Sequence, residues 1–453
     1  MAYSSGAVAG TKLQNQSIIL SSMYISAHFR PVIYFSGKSL LRYLIVLFLT
    51  AGIFGVSGCH DEHLDEGVQS NAEINEIIYR EMQEMYLWYD EFPNRTSLDF
   101  NAEPDKFYYS LLVEKDGKNG TYYSLILPEG ETLTGNGVYI FGMVYHTTNL
   151  VIKYIIHDSP AEKAGFQRGD VITAVNGKTV NPGNVADILG PCSGETWITV
   201  KRYSDTDKKP EILDLKITGR EIIYDTPLHL DTVYAETGAG KVGYLFFHGE
   251  FAEGPDNDTS LYTDQLRQTF SRFHSKGVNQ LIIDLRDNGG GSLHLCHILC
   301  TMLAPENAMG KLFLTKKYNN QNENIKLLFD PALIKNGARL DLEKLIIIVS
   351  QETASASELV IHCLKPYLGD KLIVVGTKTY GKNVGMDMIE DLDIPWILIP
   401  VTFCCENADG DRDYSDGLQP DIFIEENFSG KLYPYGDRRE QLLQKALQSI
   451  GAE

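Results

Sequence analysis

Hydrophobic positions recur with a helical period in the first folded part of this chain and with shorter, strand-like periods further on. Residues 72–90 place apolar side chains three and four positions apart with charged residues between them, which is the pattern of an amphipathic helix. A second helix is predicted from Pro104 to Val113. We therefore predict that residues 71–125 form a helical N-terminal unit.

From residue 126 to 217 the pattern changes to short strands separated by turn residues. Gly135 and Gly137 precede an apolar alternation that includes Val138 and Tyr139. A Ser-Pro-Ala-Glu-Lys-Ala-Gly run and an Asn-Gly hairpin signal follow strand-like stretches further on. This region is predicted to be a small β-rich domain.

Residues 218–453 alternate short apolar runs with helices of ten or more residues. A strand near residues 240–247 precedes a helix from about Leu261 to Lys276, and the next strand covers Gln280 to Leu285. Such alternation predicts βαβ units and a mainly parallel sheet. The expected fold class is an α/β core with a β-rich domain and a helical N-terminal unit.

One stretch of the α/β core combines a serine and a lysine in a suggestive order. A buried strand at Leu345–Val349 leads through a polar turn with Ser355 into a helix at Leu359–Leu368, and a second strand, Leu372–Val375, leads into a loop that ends at Lys382. A helix N-terminus favours developing negative charge, and a neighbouring base can activate a serine hydroxyl. The order therefore suggests a nucleophile and its base.

Two interpretations of Ser355 remain open on these residues alone. Ser355 can be a nucleophile, or it can cap the following helix, because Ser355-x-x-Glu358 has the form of a capping box. Ser357 is a rival nucleophile. It lies about 200° around a helix from Ser355, so the two serines cannot both face Lys382.

A run of three glycines, Gly289 to Gly291, follows the strand that ends near Leu285. Open α/β sheets place their sites at the carboxyl ends of strands. The run is not a phosphate loop, because no Gly-Lys-Ser/Thr follows it. It can present a bare N–H to an oxyanion, or it can be a tight turn that needs positive φ angles.

Composition excludes some classes of function. The formal net charge is −20, and the first 59 residues contain four basic residues and no acidic one, so the remainder is still more acidic. Nucleic-acid binding needs a basic face, so no nucleic-acid partner is expected. Cys296, His297 and Cys300, with His294 nearby, lack a second ligand pair at zinc-like spacing. We expect buried thiols there, and neither a metal nor a cofactor.

An apolar run at residues 41–58, with Lys38 before it and Arg42 near its start, ends at Cys59. Val-Ser-Gly-Cys resembles a bacterial lipobox, in which the cysteine is lipidated and becomes the mature N-terminus; a plain transmembrane helix is the alternative. Residues 1–59 are therefore expected to be a signal and lipobox region, for which Met23 is an alternative start, and residues 60–70 an acidic tether. The expected location is extracytoplasmic, lipid-anchored to a bacterial membrane at the periplasmic face or the cell surface.

Five pieces of the chain, in order, resemble the carboxyl-terminal processing peptidases, also called tail-specific proteases. They are the PDZ-like block at residues 126–217 and the runs VGYLFF, DLRDNGGG, TASASE and TYGK, and the closing GLQPD also fits. The resemblance implies an α/β peptidase core of crotonase or ClpP-like type at residues 218–453. The implied activity is hydrolysis of peptide bonds by a serine endopeptidase with a Ser–Lys dyad.

The same resemblance implies roles for individual residues. Ser355 would be the nucleophile and Lys382 the general base. The oxyanion hole would use the backbone N–H of Ala356 and of a glycine in the glycine run. Relatives often have proline, which lacks an N–H, at the place of Gly289, so Gly290 is the expected donor.

The PDZ-like block implies a way to recognise substrates. Gly135 and Gly137 resemble the loop whose N–H groups hold a peptide's terminal carboxylate, and Val138 and Tyr139 would pair with the peptide as an added strand. The expected partners are polypeptide substrates with free C-terminal tails, and the membrane through the lipid anchor. A PDZ-like module that serves only as a spacer is the alternative.

Two departures from the family pattern keep other functions open. The segment between Ser355 and Lys382 is two residues longer than in better-known members, and Met386 stands where many relatives carry a glutamine that orients the base. A weak or inactive peptidase fold that binds peptides is therefore the main alternative. A crotonase-like enzyme with a coenzyme A ligand is a third, against which the PDZ-like block and the export signal argue.

Overall fold

The computed structural model describes residues 69–130, 141–192, 194–205, 209–219, 226–235, 240–255, 258, 260–390 and 392–452. Within these residues no helix has both the length and the apolar character that a membrane crossing needs. The predicted lipobox and tether (except residues 69 and 70) lie outside the described residues.

The N-terminal unit is helical, as predicted, and has a small β element. Its elements are α1 (Asn71–Met85), α2 (Pro104–Leu111), β1 (Gly117–Lys118), β2 (Thr121–Tyr122) and β3 (Leu125–Pro128), with 3-10 turns at Tyr89–Glu91 and Arg95–Ser97. Ser70 and Glu73 form a capping box that starts α1. Helix α1 ends five residues before the predicted end, because Tyr86 takes an extended conformation.

In its described residues, the β-rich domain consists of antiparallel strands and two short helices. Its elements are β4 (Met143–Tyr145), β5 (Ile152–Ile155), α3 (Pro160–Lys163), β6 (Val171–Val175), β7 (Lys178–Thr179), α4 (Val185–Leu189), β8 (Glu195–Arg202) and β9 (Glu211–Thr218). Strands β7, β6, β8 and β9 form one sheet, and β4 pairs with β5. Ser159 caps α3 and Pro160 occupies its first position.

The third region supplies the remaining four helices of the described residues: α5 (Leu261–Ser275), α6 (Leu293–Leu303), α7 (Ala356–Leu368) and α8 (Gln441–Ser449). Its strands are β10 (Leu228–Ala235), β11 (Lys241–Phe247), β12 (Gly249–Phe251), β13 (Gln280–Asp284), β14 (Asn288–Gly291), β15 (Leu312–Tyr318), β16 (Ile325–Leu328), β17 (Lys344–Val349), β18 (Leu372–Gly376), β19 (Val384–Met386), β20 (Trp396–Ile399), β21 (Val401–Glu406) and β22 (Ile422–Phe423). Short 3-10 turns lie at Glu306–Ala308, Pro331–Leu333 and Gly369–Lys371.

A six-stranded sheet in the order β10-β11-β13-β17-β18-β22 forms the centre of this region. Only the β10–β11 pair is antiparallel, so the predicted mainly parallel sheet is confirmed. Successive side chains of each strand point to opposite faces. One face packs on α5, α6 and α7, and the other packs on α8 and on part of the β-rich domain.

The N-terminal unit is built onto the α/β core. Strand β3 pairs antiparallel with β20, and the core of the unit includes Val384, Leu398 and Val401 of the third region. The predicted boundary between residues 125 and 126 falls inside β3. A second four-stranded sheet, β16-β15-β21-β19, lies next to this junction and carries the chain segment that follows Lys382.

Candidate active site

The turn that carries Ser355 connects β17 to α7. Ser355 has φ 53° and ψ −117°, a backbone conformation that costs a residue with a side chain about 1–3 kcal/mol. The Ala354 amide donates to the Asn288 carbonyl at 3.1 Å. The Tyr380 amide donates to the Thr353 carbonyl at 2.9 Å. Contacts from two distant segments therefore hold the strained serine in place.

Ser355 and its rival Ser357 have different surroundings. Ser355 is half-buried, whereas Ser357 is fully buried. The Ser357 hydroxyl donates to Asn288 Oδ1 at 2.7 Å and lies 3.1 Å from the Asn288 carbonyl oxygen. Ser357 thus fastens α7 to β14, and Ser355 is the more accessible of the two serines.

Glu358 connects the turn that carries Ser355 to the loop that ends at Lys382. Its Oε2 accepts hydrogen bonds from the Ser355 and Lys382 amides, each at 2.8 Å. Its Oε1 accepts from the Gly381 amide at 2.7 Å and from the Thr379 hydroxyl at 2.6 Å. Since two backbone segments meet at one carboxylate, the positions of Ser355 and Lys382 are set together.

The sequence pattern identified Glu358 only as a helix-capping residue, and the Ser355 amide bond is consistent with that role. Burial raises the pKa of Glu358, while its hydrogen bonds, that of Thr379 foremost, oppose the shift. The Ser-x-x-Glu spacing was the available signal. The other hydrogen-bond donors to the Glu358 carboxylate lie more than twenty residues further on, and a capping pattern cannot indicate them.

Lys382 lies in an apolar pocket and is 8% exposed. Its Nζ is 3.9 Å from Met386 Sδ and 5.0 Å from the centre of the Tyr123 ring, which belongs to the N-terminal unit. Within the described part of the chain, no carboxylate forms an ion pair with this amine. The sequence did not indicate Tyr123, because it is far from Lys382 along the chain.

Burial lowers the pKa of Lys382 to about 8. Attraction to Asp116, followed by Cys405 and Glu358, acts in the opposite direction without cancelling the effect of burial. A lysine with such a pKa has a large neutral fraction near pH 8, and only the neutral amine can accept a proton. The setting of Lys382 is therefore suited to a general base.

Strand β14 carries the three glycines and lies against the Ser355 turn. Gly290 has φ 105°, and a β-carbon there would lie 2.7 Å from Ser355 Cβ and 2.9 Å from the Ala356 amide nitrogen. Glycine is required for this close approach. The Ala356 amide is the first of α7 and has no acceptor within its own helix. Gly290 and Ala356 are thus adjacent, and their role as oxyanion donors stays a prediction.

The glycine run differs from its prediction in two respects. It forms a strand paired with Gly249–Phe251, and not a simple turn that feeds a helix. The Gly290 amide also donates to Asn288 Oδ1 at 3.1 Å, so it is not a bare N–H. Asn288 is held in this orientation because its Nδ2 donates to the Phe247 carbonyl at 3.1 Å. An oxyanion would have to share the Gly290 donor or displace the Asn288 side chain.

Buried ion pairs connect the β-rich domain to the start of β14. Lys153 of β5 pairs with Asp287, and each side chain is 11% exposed. Arg168 donates to the Lys153 carbonyl at 2.7 Å and to the Tyr433 carbonyl at 3.0 Å, and it pairs with Glu426. The domain is therefore held against the segment that precedes the glycines.

Several predicted site residues cannot be placed. Gly135, Gly137, Val138 and Tyr139, the predicted carboxylate-binding residues, lie outside the described residues, and so does the predicted lipidation site Cys59. Their roles stay predictions.

The cysteines next to the site are free thiols. Cys296 and Cys300 are buried, as predicted, with their sulfur atoms 3.9 Å apart, and Cys296 Sγ contacts the Ala356 carbonyl at 3.2 Å. Among the described residues, one group has metal-ligand spacing: His157, Asp158 and Glu162, all exposed on the β-rich domain.

Three parts of the chain match known family models. Residues 73–125 match the peptidase S41 N-terminal domain, residues 151–202 match a PDZ domain, and residues 241–424 match peptidase family S41. These matches confirm the predicted fold class and the predicted PDZ-like character of the β-rich domain.

Individual relatives agree with the family models. A crystal structure described as that of an S41 protease from Bacteroides fragilis is 30% identical with a TM-score of 0.71, over 82% of this chain and 96% of that one. Proteins described as CtpA-like serine proteases from Staphylococcus aureus and Staphylococcus epidermidis are 28% and 26% identical over 59% of this chain. The chain covers 48% and 49% of their lengths, about half of these curated relatives.

Proposed function

Because the chain belongs to peptidase family S41, we propose that it is a serine endopeptidase in which Ser355 is the nucleophile and Lys382 the general base. The observation that carries the proposal is the shared Glu358 carboxylate, which accepts from the amides of both residues. The lowered pKa of Lys382 supports the role of base.

In the proposed reaction, Lys382 accepts the hydroxyl proton as Ser355 Oγ attacks the scissile carbonyl carbon. The amides of Ala356 and Gly290 would donate to the resulting oxyanion. Collapse of the tetrahedral intermediate releases the amine, which takes the proton from the Lys382 ammonium and leaves an acyl-enzyme. A water molecule, deprotonated by Lys382, then attacks the acyl carbon; the bond from this carbon to Ser355 Oγ breaks, the new carboxyl product leaves, and Lys382 returns the proton to Ser355 Oγ.

The substrates proposed for this site are polypeptides with free C-terminal tails, recognised partly through the PDZ domain. Gly135, Gly137, Val138 and Tyr139 would hold the terminal carboxylate and pair with the tail. The proposal predicts that amidation of a substrate's C-terminus raises KM. Equal cleavage of the free and amidated forms would contradict tail recognition.

The proposed location is extracytoplasmic, with a lipid on Cys59 as the membrane anchor. The lipobox-like run that ends at this residue is the basis of the proposal. Cells that express the full chain should incorporate a labelled fatty acid into it, and the Cys59→Ser variant should not be labelled. Equal labelling of the two chains would remove the anchor from the proposal.

The direct test of the activity is cleavage of a mixed peptide library by the purified full chain, read by mass spectrometry. We expect that Ser355→Ala and Lys382→Ala each abolish cleavage while leaving the thermal unfolding transition in place. Ser357→Ala is the matched control, and it should retain cleavage because Ser357 bonds to Asn288. Full activity of either dyad variant would refute the assignment.

The alternative function, peptide binding without cleavage, has one structural observation in its favour. The Gly290 amide is already engaged by Asn288 Oδ1, so the proposed oxyanion site is not open as it stands. The same library decides between the two functions. A wild-type chain that retains tail peptides but cleaves none of them would establish the binding protein.

A further inference from the structure

The Lys382 amine has an unusual set of neighbours for a proposed base. Among the described residues, its one hydrogen-bonding contact is with Met386 Sδ at 3.9 Å, and a thioether sulfur is only a weak acceptor. Hydrogen bonding to Met386 is thus too weak to fix the direction of the amine. The second close neighbour is the Tyr123 ring, whose centre lies 5.0 Å from Nζ. This distance is within the roughly 6 Å range of a cation–π contact.

Buried hydrogen bonds of the N-terminal unit hold the backbone at Tyr123. Its amide donates to the Asp116 carbonyl at 2.9 Å. The Asp116 carboxylate accepts from the Ser124 amide at 3.1 Å and from the Tyr86 hydroxyl at 2.9 Å, and all of these groups are buried. Tyr123 therefore occupies a defined place within its own unit.

Contacts with the α/β core set the position of that unit. The Val401 amide donates at 2.8 Å to Oγ of Ser124, the residue that follows Tyr123. Lys118 donates to the Tyr380 carbonyl, two residues before Lys382. The Tyr123 ring also packs edge-on against the Tyr380 ring, with centres 6.4 Å apart. The unit thus contacts the loop that ends at Lys382 through Tyr380, and strand β21 through Val401.

We propose that Tyr123 is a positioning residue for Lys382, and that the N-terminal unit completes the active site by placing this ring against the amine. The proposal rests on the proposed function of Lys382 as a base. The ring limits the directions in which the amine can point and stabilises its charged form after it has taken the serine proton.

Substitutions of Tyr123 have different expected effects because they change the ring and the burial separately. The other groups that act on the amine, Asp116, Cys405 and Glu358, are the same in each variant. Tyr123→Phe keeps the ring and should retain kcat and the pKa of Lys382. Tyr123→Leu removes the ring but keeps the site dry, so the pKa should fall by about one unit.

Tyr123→Ala changes the burial of Lys382 as well as removing the ring. It removes the ring and admits water, so the pKa of Lys382 should rise toward its usual value of about 10.4. If Tyr123 only filled space, the pKa of Lys382 would have no reason to shift in opposite directions in Tyr123→Leu and Tyr123→Ala. The pair of variants therefore distinguishes a positioning role from a purely structural one.

The experiment combines a titration with steady-state kinetics. The titration follows the ¹³Cε chemical shift of Lys382 in the full chain with Ser355→Ala, so it needs no activity. The kinetics use the chain with Ser355 intact, and we expect Tyr123→Leu to lower kcat about 10- to 30-fold with KM changed less than about threefold. Tyr122→Leu, on the neighbouring exposed ring, is the matched control and should leave both measurements unchanged.

The possible outcomes separate this inference from the proposed function. Cleavage by Ser355→Ala or Lys382→Ala would refute the proposed function. An unshifted Lys382 titration in Tyr123→Leu, or an equal loss of kcat in Tyr123→Phe, would refute the positioning role. If Tyr123→Leu does not fold, Tyr123→Met, which also lacks the ring, gives the same comparison.

Discussion

Lys153 and Lys382 are both buried lysines, each with 8% of the whole residue exposed, but their neighbours differ. Lys153 forms an ion pair with Asp287 in the junction between the PDZ domain and strand β14. Lys382 has a sulfur atom and an aromatic ring beside its amine. Because the two lysines are equally exposed, a comparison between them shows how a charged partner changes the pKa of a lysine.

The pKa values of the two amines shift in opposite directions. Burial acts to lower the pKa of Lys153, but attraction to Asp287 and then to Glu352 outweighs it, so its pKa is raised. The pKa of Lys382 is lowered to about 8 by burial, which attraction to Asp116 only partly opposes. Burial alone thus does not produce a neutral lysine; the absence of a close carboxylate is also needed.

The largest effect is expected when Lys153 loses its partner. Asp287→Asn keeps a residue that tolerates the φ of 61° but removes the ion-pair partner that the buried Lys153 has among the described residues, which should cost about 3–5 kcal/mol in the free energy of unfolding at pH 7. The pKa of Lys153 in the folded chain would then fall below its unfolded value. The unfolded chain would bind more protons between these two values, so the variant should regain stability as pH rises through that window.

Urea unfolding of Asp287→Asn at pH 7 and pH 9.5 measures this effect. The control is the double substitution of Lys153→Met with Asp287→Asn, which removes the charge altogether and should recover most of the stability. A variant that is as stable as the wild type at pH 7 would show that the ion pair does not hold Lys153 in its charged form.

The next largest effect is expected when Lys382 gains a partner. Met386→Glu places a carboxylate where the sulfur now lies 3.9 Å from Nζ, which should raise the pKa of Lys382 by about 1–3 units. At pH 7.5 the neutral fraction of the amine, and with it kcat/KM for peptide cleavage, should fall about 8- to 800-fold.

The matched control for this change is Met386→Gln, which has the shape of glutamate without its charge. It should keep kcat/KM within about threefold of the wild type. If Met386→Gln loses as much activity as Met386→Glu, the loss comes from the shape of the residue, and the comparison of the two lysines does not explain the site.

The sequence predicted most of the fold because its elements follow local rules. The strand predicted at residues 345–349 is observed at Lys344–Val349, and the helix predicted from Leu359 begins three residues earlier, at Ala356. The parallel sheet followed from strands that alternate with helices. Helix α1 ends early because Tyr86 turns away to bond Asp116, a contact thirty residues away that no periodicity indicates.

The candidate site was predicted less completely, because some of its contacts join segments that are far apart in the sequence. Ser355, Lys382, Ala356 and Gly290 belong to short motifs, and the family resemblance assigned their roles. Tyr123 comes to the lysine from a separate folding unit, and its contact depends on how that unit packs. The engaged Gly290 amide likewise depends on a side-chain orientation of Asn288 that a glycine motif does not encode.

The most direct test that their neighbours give these two buried lysines different pKa values is a titration of Lys153 and Lys382 in one sample of the wild-type chain. The ¹³Cε shifts of the two lysines would be assigned with Lys153→Arg and Lys382→Arg variants. Lys382 is expected to lose its proton near pH 8, while Lys153 stays charged beyond the usual lysine value of about 10.4. Equal midpoints for the two lysines, or a midpoint of Lys382 at or above its usual value, would contradict this expectation.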